Sequence, residues 1–276
     1  METPSLAIRD PEHPFWDGTH IEVRDALYAY RRFGFEASFP VLLAAFAKWK
    51  KVDAAKLLIK IANWSIRGQI SGRLGGGVAD ETFGDTARAI SAGMAKNQPD
   101  VRALMSRLIP NDAEFQANFV AYGDISPSRA KYLLAMLEKA DDARRHRPAK
   151  AVEWHSRSVT IEHVLPLSNR NQSDAEAAAV SKLGNLALLE KRLNHAAGSK
   201  SFAEKRLFYK DSMFELTKRL AAKRTWKPKS VADRTNELAE LACLAWPPPS
   251  TTAARILVVI GVSRVSRLRV GAMLRV

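Results

Sequence analysis

Apolar residues recur at three- and four-residue intervals through "FPVLLAAFAKWKK" (39 to 51) and "DAAKLLIKIANWSIRGQI" (53 to 70). That spacing predicts two amphipathic helices, the second capped by Asp53. The same rhythm over residues 19 to 122 predicts an all-helical support region with short loops. Glycine and proline in "GDISP" (123 to 127) interrupt it, and "SRAKYLLAMLEKADDARRHR" predicts one further helix from Ser128 to Arg145. From residue 157 the period shortens to two. "RSVTIEHVLP" is rich in β-branched residues, with Val159, Ile161 and His163 on one side, Thr160, Glu162 and Val164 on the other, and Pro166 at its end. This predicts a strand. "SDAEAAAVSKLG" follows as a short helix, with Ser173 or Asp174 as cap and Gly184 as its stop; "NLALLEK" reads as a second strand and "RLNHAAGSK" as a loop. "SFAEKRLFYKDSMFELTKRLAAK" predicts one long helix opened by a capping box, Ser201 with Glu204. Phe202, Phe208, Tyr209 and Phe214 fall at helical spacing there and read as core. Trp226 and Trp246 are expected to pack the closing helix, "SVADRTNELAELACLAW".

Composition narrows the class. With 276 residues, 46% of them hydrophobic, the chain can bury a core in one large or two ordinary domains. Its one cysteine, Cys243, excludes a disulfide framework or a multi-cysteine zinc ribbon and fits a reducing compartment. The N-terminus lacks the apolar core of a signal peptide. The longest strongly apolar run, "ILVVIGV" at 256 to 262, falls far short of the roughly 20 residues of a membrane span. A cytoplasmic protein without a membrane partner is expected. The formal charge of +14 is unevenly placed. Residues 1 to 125 carry equal numbers of basic and acidic side chains, residues 126 to 250 carry 23 Lys+Arg against 14 Asp+Glu, and residues 251 to 276 carry five arginines and no acid. Such a balance around the strands suits a polyanion such as nucleic acid. The basic helix end "RRHRPAK" fits cations at a helix C-terminus and can also touch phosphate. The glycines of "GRLGGGVAD" (72 to 80) read as a loop between helices, because no Lys-Ser/Thr follows and no strand precedes them.

The strand pattern brings chemistry together. His163 near the end of the first strand, Asn185 at the start of the second and Asn194 beyond it, 22 and 9 residues apart, can meet at one end of a hairpin packed on a helix. Phosphodiester hydrolysis needs a water made nucleophilic and positive charge on the phosphoryl and leaving oxygens. A histidine, with an ordinary pKa of about 6.5, suits the first task. A carboxylate and an amide carbonyl, from Glu162 and Asn194, are hard oxygen ligands for Mg²⁺ or Mn²⁺. His195 beside Asn194 is the alternative third member, and His146 and His155 are expected on the surface.

Taken in order, "TIEHVLP", "KLGNLALL", "KRLNHAAGSKSFAEKRLFYKDS" and "TWKPKSVADRTNELAELACLAW" resemble the C-terminal HNH nuclease domain of GmrSD-type modification-dependent restriction proteins. The resemblance implies a mainly α protein in which a helical domain (1–125) precedes an α+β HNH, or ββα-metal, endonuclease domain embedded in helices (126–250), with a poorly ordered basic tail (251–276). By position it makes His163 the general base, Glu162 a metal ligand, Asn185 the brace of the loop that aims the histidine, and Asn194 a metal ligand. Lys205 and Arg206 at the start of the long helix, with Lys200 before them, would hold phosphate. Leu167 departs from the polar residue common in the family at that place. Nothing here resembles the family's N-terminal nucleotide-hydrolysing domain, so NTP-driven activity is not expected of the chain, and a truncated reading frame would account for both ends. The function implied is metal-dependent DNA cleavage in restriction or phage defence. The alternative is a non-catalytic nucleic-acid-binding fragment or subunit that needs a separate NTPase domain.

Overall fold

The computed structural model describes residues 2–19, 21–123, 125–148, 153–166 and 173–248; the tail at 251–276 and Leu167 lie outside them. The fold is mainly α. The first half contains α1 (Glu2–Ala7), α2 (Ile21–Phe33), α3 (Phe39–Lys48), α4 (Lys51–Ile70), α5 (Gly77–Ser91), α6 (Gln98–Met105) and α7 (Asp112–Ala121). After α8 (Pro127–Arg144) come β1 (Val159–His163), α9 (Asp174–Val180), β2 (Leu186–Glu190), α10 (Lys191–Ala197), α11 (Phe202–Lys210), α12 (Glu215–Ala221) and α13 (Pro228–Ala245). Among the described residues, β1 and β2 form the one sheet, an antiparallel pair.

Two apolar clusters sandwich this hairpin. The larger runs from Ala7 through the helices to Trp246 and takes in Val159, Leu186 and Leu188. The smaller gathers Val164, Ala187, Leu189, Tyr209, Leu220, Trp226 and Val231. Burial on both sides explains why β2 reads as an unbroken apolar run rather than an alternation. Trp246 closes the larger cluster against the rings of Phe115, Phe119 and Tyr132. Its carbonyl accepts from Arg67 Nη1 at 2.8 Å, while Arg67 Nε and Nη2 donate to the Pro110 carbonyl at 3.2 and 3.0 Å. This fully buried guanidinium, ion-paired to Asp112 at 2.9 Å, ties α4 to the start of α7 and to the chain just after α13.

The structure corrects four local expectations. Asp53 does not cap α4; that helix begins two residues earlier, with Lys50 at the cap. Of the two caps expected for α9, Ser173 is the one used, but the helix stops at Val180, four residues before Gly184. The segment read as the loop "RLNHAAGSK" is largely the helix α10, ended by Gly198 at φ +48°. The single long helix is broken into α11 and α12. Glu190 accepts from Ser212 Oγ at 3.0 Å and from the Met213 amide at 2.6 Å, and the Glu138 carboxylate caps α12 by accepting from the Glu215 and Leu216 amides. These distant acceptors offer the backbone more than continuing the helix would, and no local signal announces them.

Gly184 serves close packing. A Cβ there would collide with Thr235 Oγ1 and the Val231 carbonyl, so the turn before β2 can rest on α13 only with glycine at this place. Gly76, at φ +75°, opens α5, and the glycine cluster is indeed a turn between helices.

Candidate active site

Antiparallel pairing sets His163 opposite Leu186 and Glu162 opposite Ala187. Because side chains alternate along a strand, His163 shares a face with Ile161 and Leu188, which join the larger core, whereas Glu162 and Thr160 face α10 and α11. The acid and the histidine therefore leave the strand on opposite sides.

His163 is half-buried at the strand end, and its imidazole makes no hydrogen bond among the described residues. Burial lowers its pKa from the usual 6.5, the Glu162 charge raises it, and the Lys205 ammonium lowers it. The net lowering keeps the ring neutral and able to accept a proton at neutral pH.

Asn185 is fully buried with its side chain satisfied on both ends. Oδ1 accepts from the Leu165 amide at 2.7 Å and from Trp226 Nε1 at 3.1 Å, and Nδ2 donates to the carbonyls of Leu165 and Val180, both at 3.1 Å. The Asn185 carbonyl also accepts from the Val164 amide at 3.0 Å. The two residues after His163 are thus held from both directions, which fixes the exit of β1 and with it the direction of the imidazole. Asn194 reaches the middle of β1, where Nδ2 donates to Thr160 Oγ1 at 2.8 Å and to the Ile161 carbonyl at 3.0 Å. His195 points elsewhere. It lines an open cleft of 890 Å³ with Val159 and Glu190, at the far end of the hairpin from His163.

Glu162 and Lys205 differ most from expectation. Glu162 is 4% exposed and Lys205 1%. Lys205 Nζ lies 2.7 Å from Glu162 Oε1 and donates to the His163 carbonyl at 2.8 Å, and the Tyr209 hydroxyl donates to the same Oε1 at 2.8 Å. Burial and then the Glu162 charge push the Tyr209 pKa far up, so its hydroxyl remains a donor. Lys205 turns inward from α11, away from any phosphate, because its ammonium finds two oxygens of β1 there. At the start of α11 a capping box of Ser201 and Glu204 already takes up the Ser201 and Glu204 amides. Arg206 spends Nε on the Ala221 carbonyl at 2.8 Å. Of the three basic residues expected on nucleic acid, Lys200 alone is exposed, its Nζ 2.7 Å from the Ala196 carbonyl.

The residues expected to hold a divalent ion do not fit it as they stand. A cation on Glu162 Oε1 would have to share that oxygen with the Lys205 ammonium, which lies 2.7 Å from it in a buried cluster where like charges repel strongly. No group of three or more His, Cys, Asp or Glu side chains suited to a metal occurs among the described residues.

A second charged centre has only a partial signal in the sequence. Asp141, whose side chain is fully buried, binds Arg144 at 3.0 Å, Arg145 at 3.3 Å, Arg147 and Arg219. Burial alone would raise its pKa, but hydrogen bonds from Arg219 and Arg147 overcome this and hold it well below the usual carboxylate range. The run "RRHR" pointed to three of these arginines; Arg219 arrives from α12 by tertiary packing. Next to them a cleft of 310 Å³ is lined by Arg144, Arg145, Arg219, Lys223 and the buried Arg234. Arg234 Nη1 donates to the carbonyls of Gly184 and Leu186 at 2.8 and 2.7 Å, which ties the cleft to the strand opposite His163. Burial lowers its pKa to about 10, still charged at neutral pH. His155, expected on the surface, stacks on Tyr28 at 4.5 Å.

No curated protein matches the chain. Among the described residues, no helix is long and apolar enough to cross a membrane. Residues 109–241 match the family of GmrSD restriction endonucleases, C-terminal domain. That span starts just before α7, holds both strands, His163, Asn185, Asn194 and the Glu162–Lys205 pair, and ends within α13. Over residues 109–241, just under half of its length, the chain is therefore similar to the C-terminal domain of GmrSD restriction endonucleases.

Proposed function

We propose that this domain is an HNH-type endonuclease acting on DNA in a restriction or phage-defence system, with His163 as general base. One observation carries the assignment: a neutral, half-exposed imidazole at a strand end, free of hydrogen bonds to the described residues, with the following residues clamped by Asn185. In the reaction, His163 takes a proton from water, the water oxygen bonds to phosphorus, and the bond from phosphorus to the 3′-oxygen breaks. The leaving oxygen takes a proton from solvent. Asn185 positions the base, and Asn194 holds the strand that carries it. The exposed guanidiniums around Asp141 and the Lys200 ammonium face the phosphate backbone.

The resemblance also implies Mg²⁺ or Mn²⁺ at Glu162 and Asn194. Since Lys205 occupies Glu162, no step above is routed through a metal. The test is plasmid nicking by the purified chain, with Mn²⁺ or Mg²⁺ and with EDTA, on plain, hydroxymethylated and glucosylated DNA. Cleavage that disappears in His163→Ala supports the reading, and preference among the three DNAs establishes whether modified bases are the target. DNA binding without cleavage of any of them rejects catalysis by this chain and supports the alternative, a binding subunit that depends on a separate NTPase.

A further inference from the structure

We propose that Lys205 is the resident cation of this site: its ammonium stands at Glu162 where a divalent ion would, holds the His163 peptide in place, and excludes such an ion for as long as it remains.

Lysine is almost never fully buried without a partner that requires it. Here the ammonium takes one carboxylate oxygen and one backbone carbonyl, from two adjacent residues of β1. Both are hard oxygens of the kind that ligate Mg²⁺ or Mn²⁺. Tyr209 donates to the same carboxylate oxygen, so Oε1 already accepts from two donors and a metal there would have to displace both. Asn194 lies on this face of β1 as well, with Nδ2 committed to Thr160 and Ile161 and no hydrogen bond to Oδ1 among the described residues. The oxygens of a cation site are present, and a tethered charge fills it. Lys205 is accordingly a positioning residue: through the His163 carbonyl it fixes the strand end on which the imidazole is mounted.

The inference takes its meaning from the nuclease reading but is measured without cleavage. Thermal melting of the full chain is followed with and without Mn²⁺ in wild type, Lys205→Met and the double variant Glu162→Gln/Lys205→Met. Wild type should show no Mn²⁺-dependent shift. Lys205→Met should melt lower and be raised by Mn²⁺, with at least tenfold tighter Mn²⁺ binding than wild type by titration. The double variant should recover much of the lost stability and ignore Mn²⁺. A Lys205→Met protein indifferent to Mn²⁺ overturns the proposal and leaves the pair as a structural salt bridge. If Lys205→Met does not fold, Mn²⁺ binding is compared in wild type and Glu162→Gln. Wild-type binding that is lost in Glu162→Gln overturns the proposal; no Glu162-dependent binding supports it. An inactive chain whose Lys205→Met variant gains Mn²⁺ binding would reject the nuclease reading and keep this one.

Discussion

From α2 to α7 the described residues bury two charged side chains, Asp25 and Arg67; from α8 to α13 they bury Glu138, Asp141, Asp142, Glu162, Lys205 and Arg234. Even Asp25 belongs to the seam between the regions, because it pairs with Lys139 and accepts from Trp154 Nε1 at 2.9 Å. The helical half is assembled by apolar faces, and its one internal guanidinium acts as a staple. The strand-bearing half spends its buried charges holding short elements in exact relation: Glu138 caps α12, Arg234 grips the start of β2, and Lys205 grips the end of β1. Burying a charge is costly unless it is paired and hydrogen-bonded. Concentrating such pairs around one hairpin marks the region where position matters more than stability.

Three variants sharpen this contrast. The largest stability loss is expected for Asn185→Ala, which strands the Leu165 amide and carbonyl, the Val180 carbonyl and the Trp226 indole N–H; about 4 kcal/mol follows from roughly 1 kcal/mol or more per buried group left unpaired. Denaturant unfolding measures it. Cleavage should fall further than the folded fraction does, because the residues behind His163 lose their brace.

Arg67→Met comes next, at about 3 kcal/mol, since three carbonyl hydrogen bonds and the Asp112 pair vanish. Here the cleavage rate per folded molecule should stay at the wild-type value. A matching loss of rate would erase the distinction between support and site.

Asp141→Asn should cost about 2 kcal/mol at pH 7, with a particular pH signature. A carboxylate whose folded pKa is depressed contributes stability above its unfolded value of about 3.9 and loses it as pH falls toward the folded one. The wild-type advantage over Asp141→Asn should therefore be full at neutral pH and shrink below about pH 4. An advantage independent of pH would show that the arginines are held by something other than the Asp141 charge.

How much of this was legible in the sequence follows the same division. Helices such as α3 and α4 follow from the spacing of Val41, Leu42, Leu57, Leu58 and Ile61, because one apolar face suffices to place them. Although the bracing role of Asn185 came only from the family resemblance, the two strands were also readable, since β-branched alternation and a Gly-Asn turn are local signals. The break between α11 and α12 was not, because the groups that end α11 and cap α12 are Glu190 and Glu138, far off in the chain. Lys205 looked like a surface lysine at a helix start for the same reason. Its inward course depends on Glu162, the His163 carbonyl and Tyr209 lying together, and no single stretch of sequence carries that.

The most direct test of the account measures cleavage and DNA affinity together for wild type and His163→Ala. The imidazole has no hydrogen bond to described residues to lose, and Lys205 holds the backbone carbonyl that the substitution leaves intact. The variant should keep the wild-type melting temperature and affinity and cleave more slowly by roughly 10² to 10⁴-fold. Equal cleavage by His163→Ala would contradict the account.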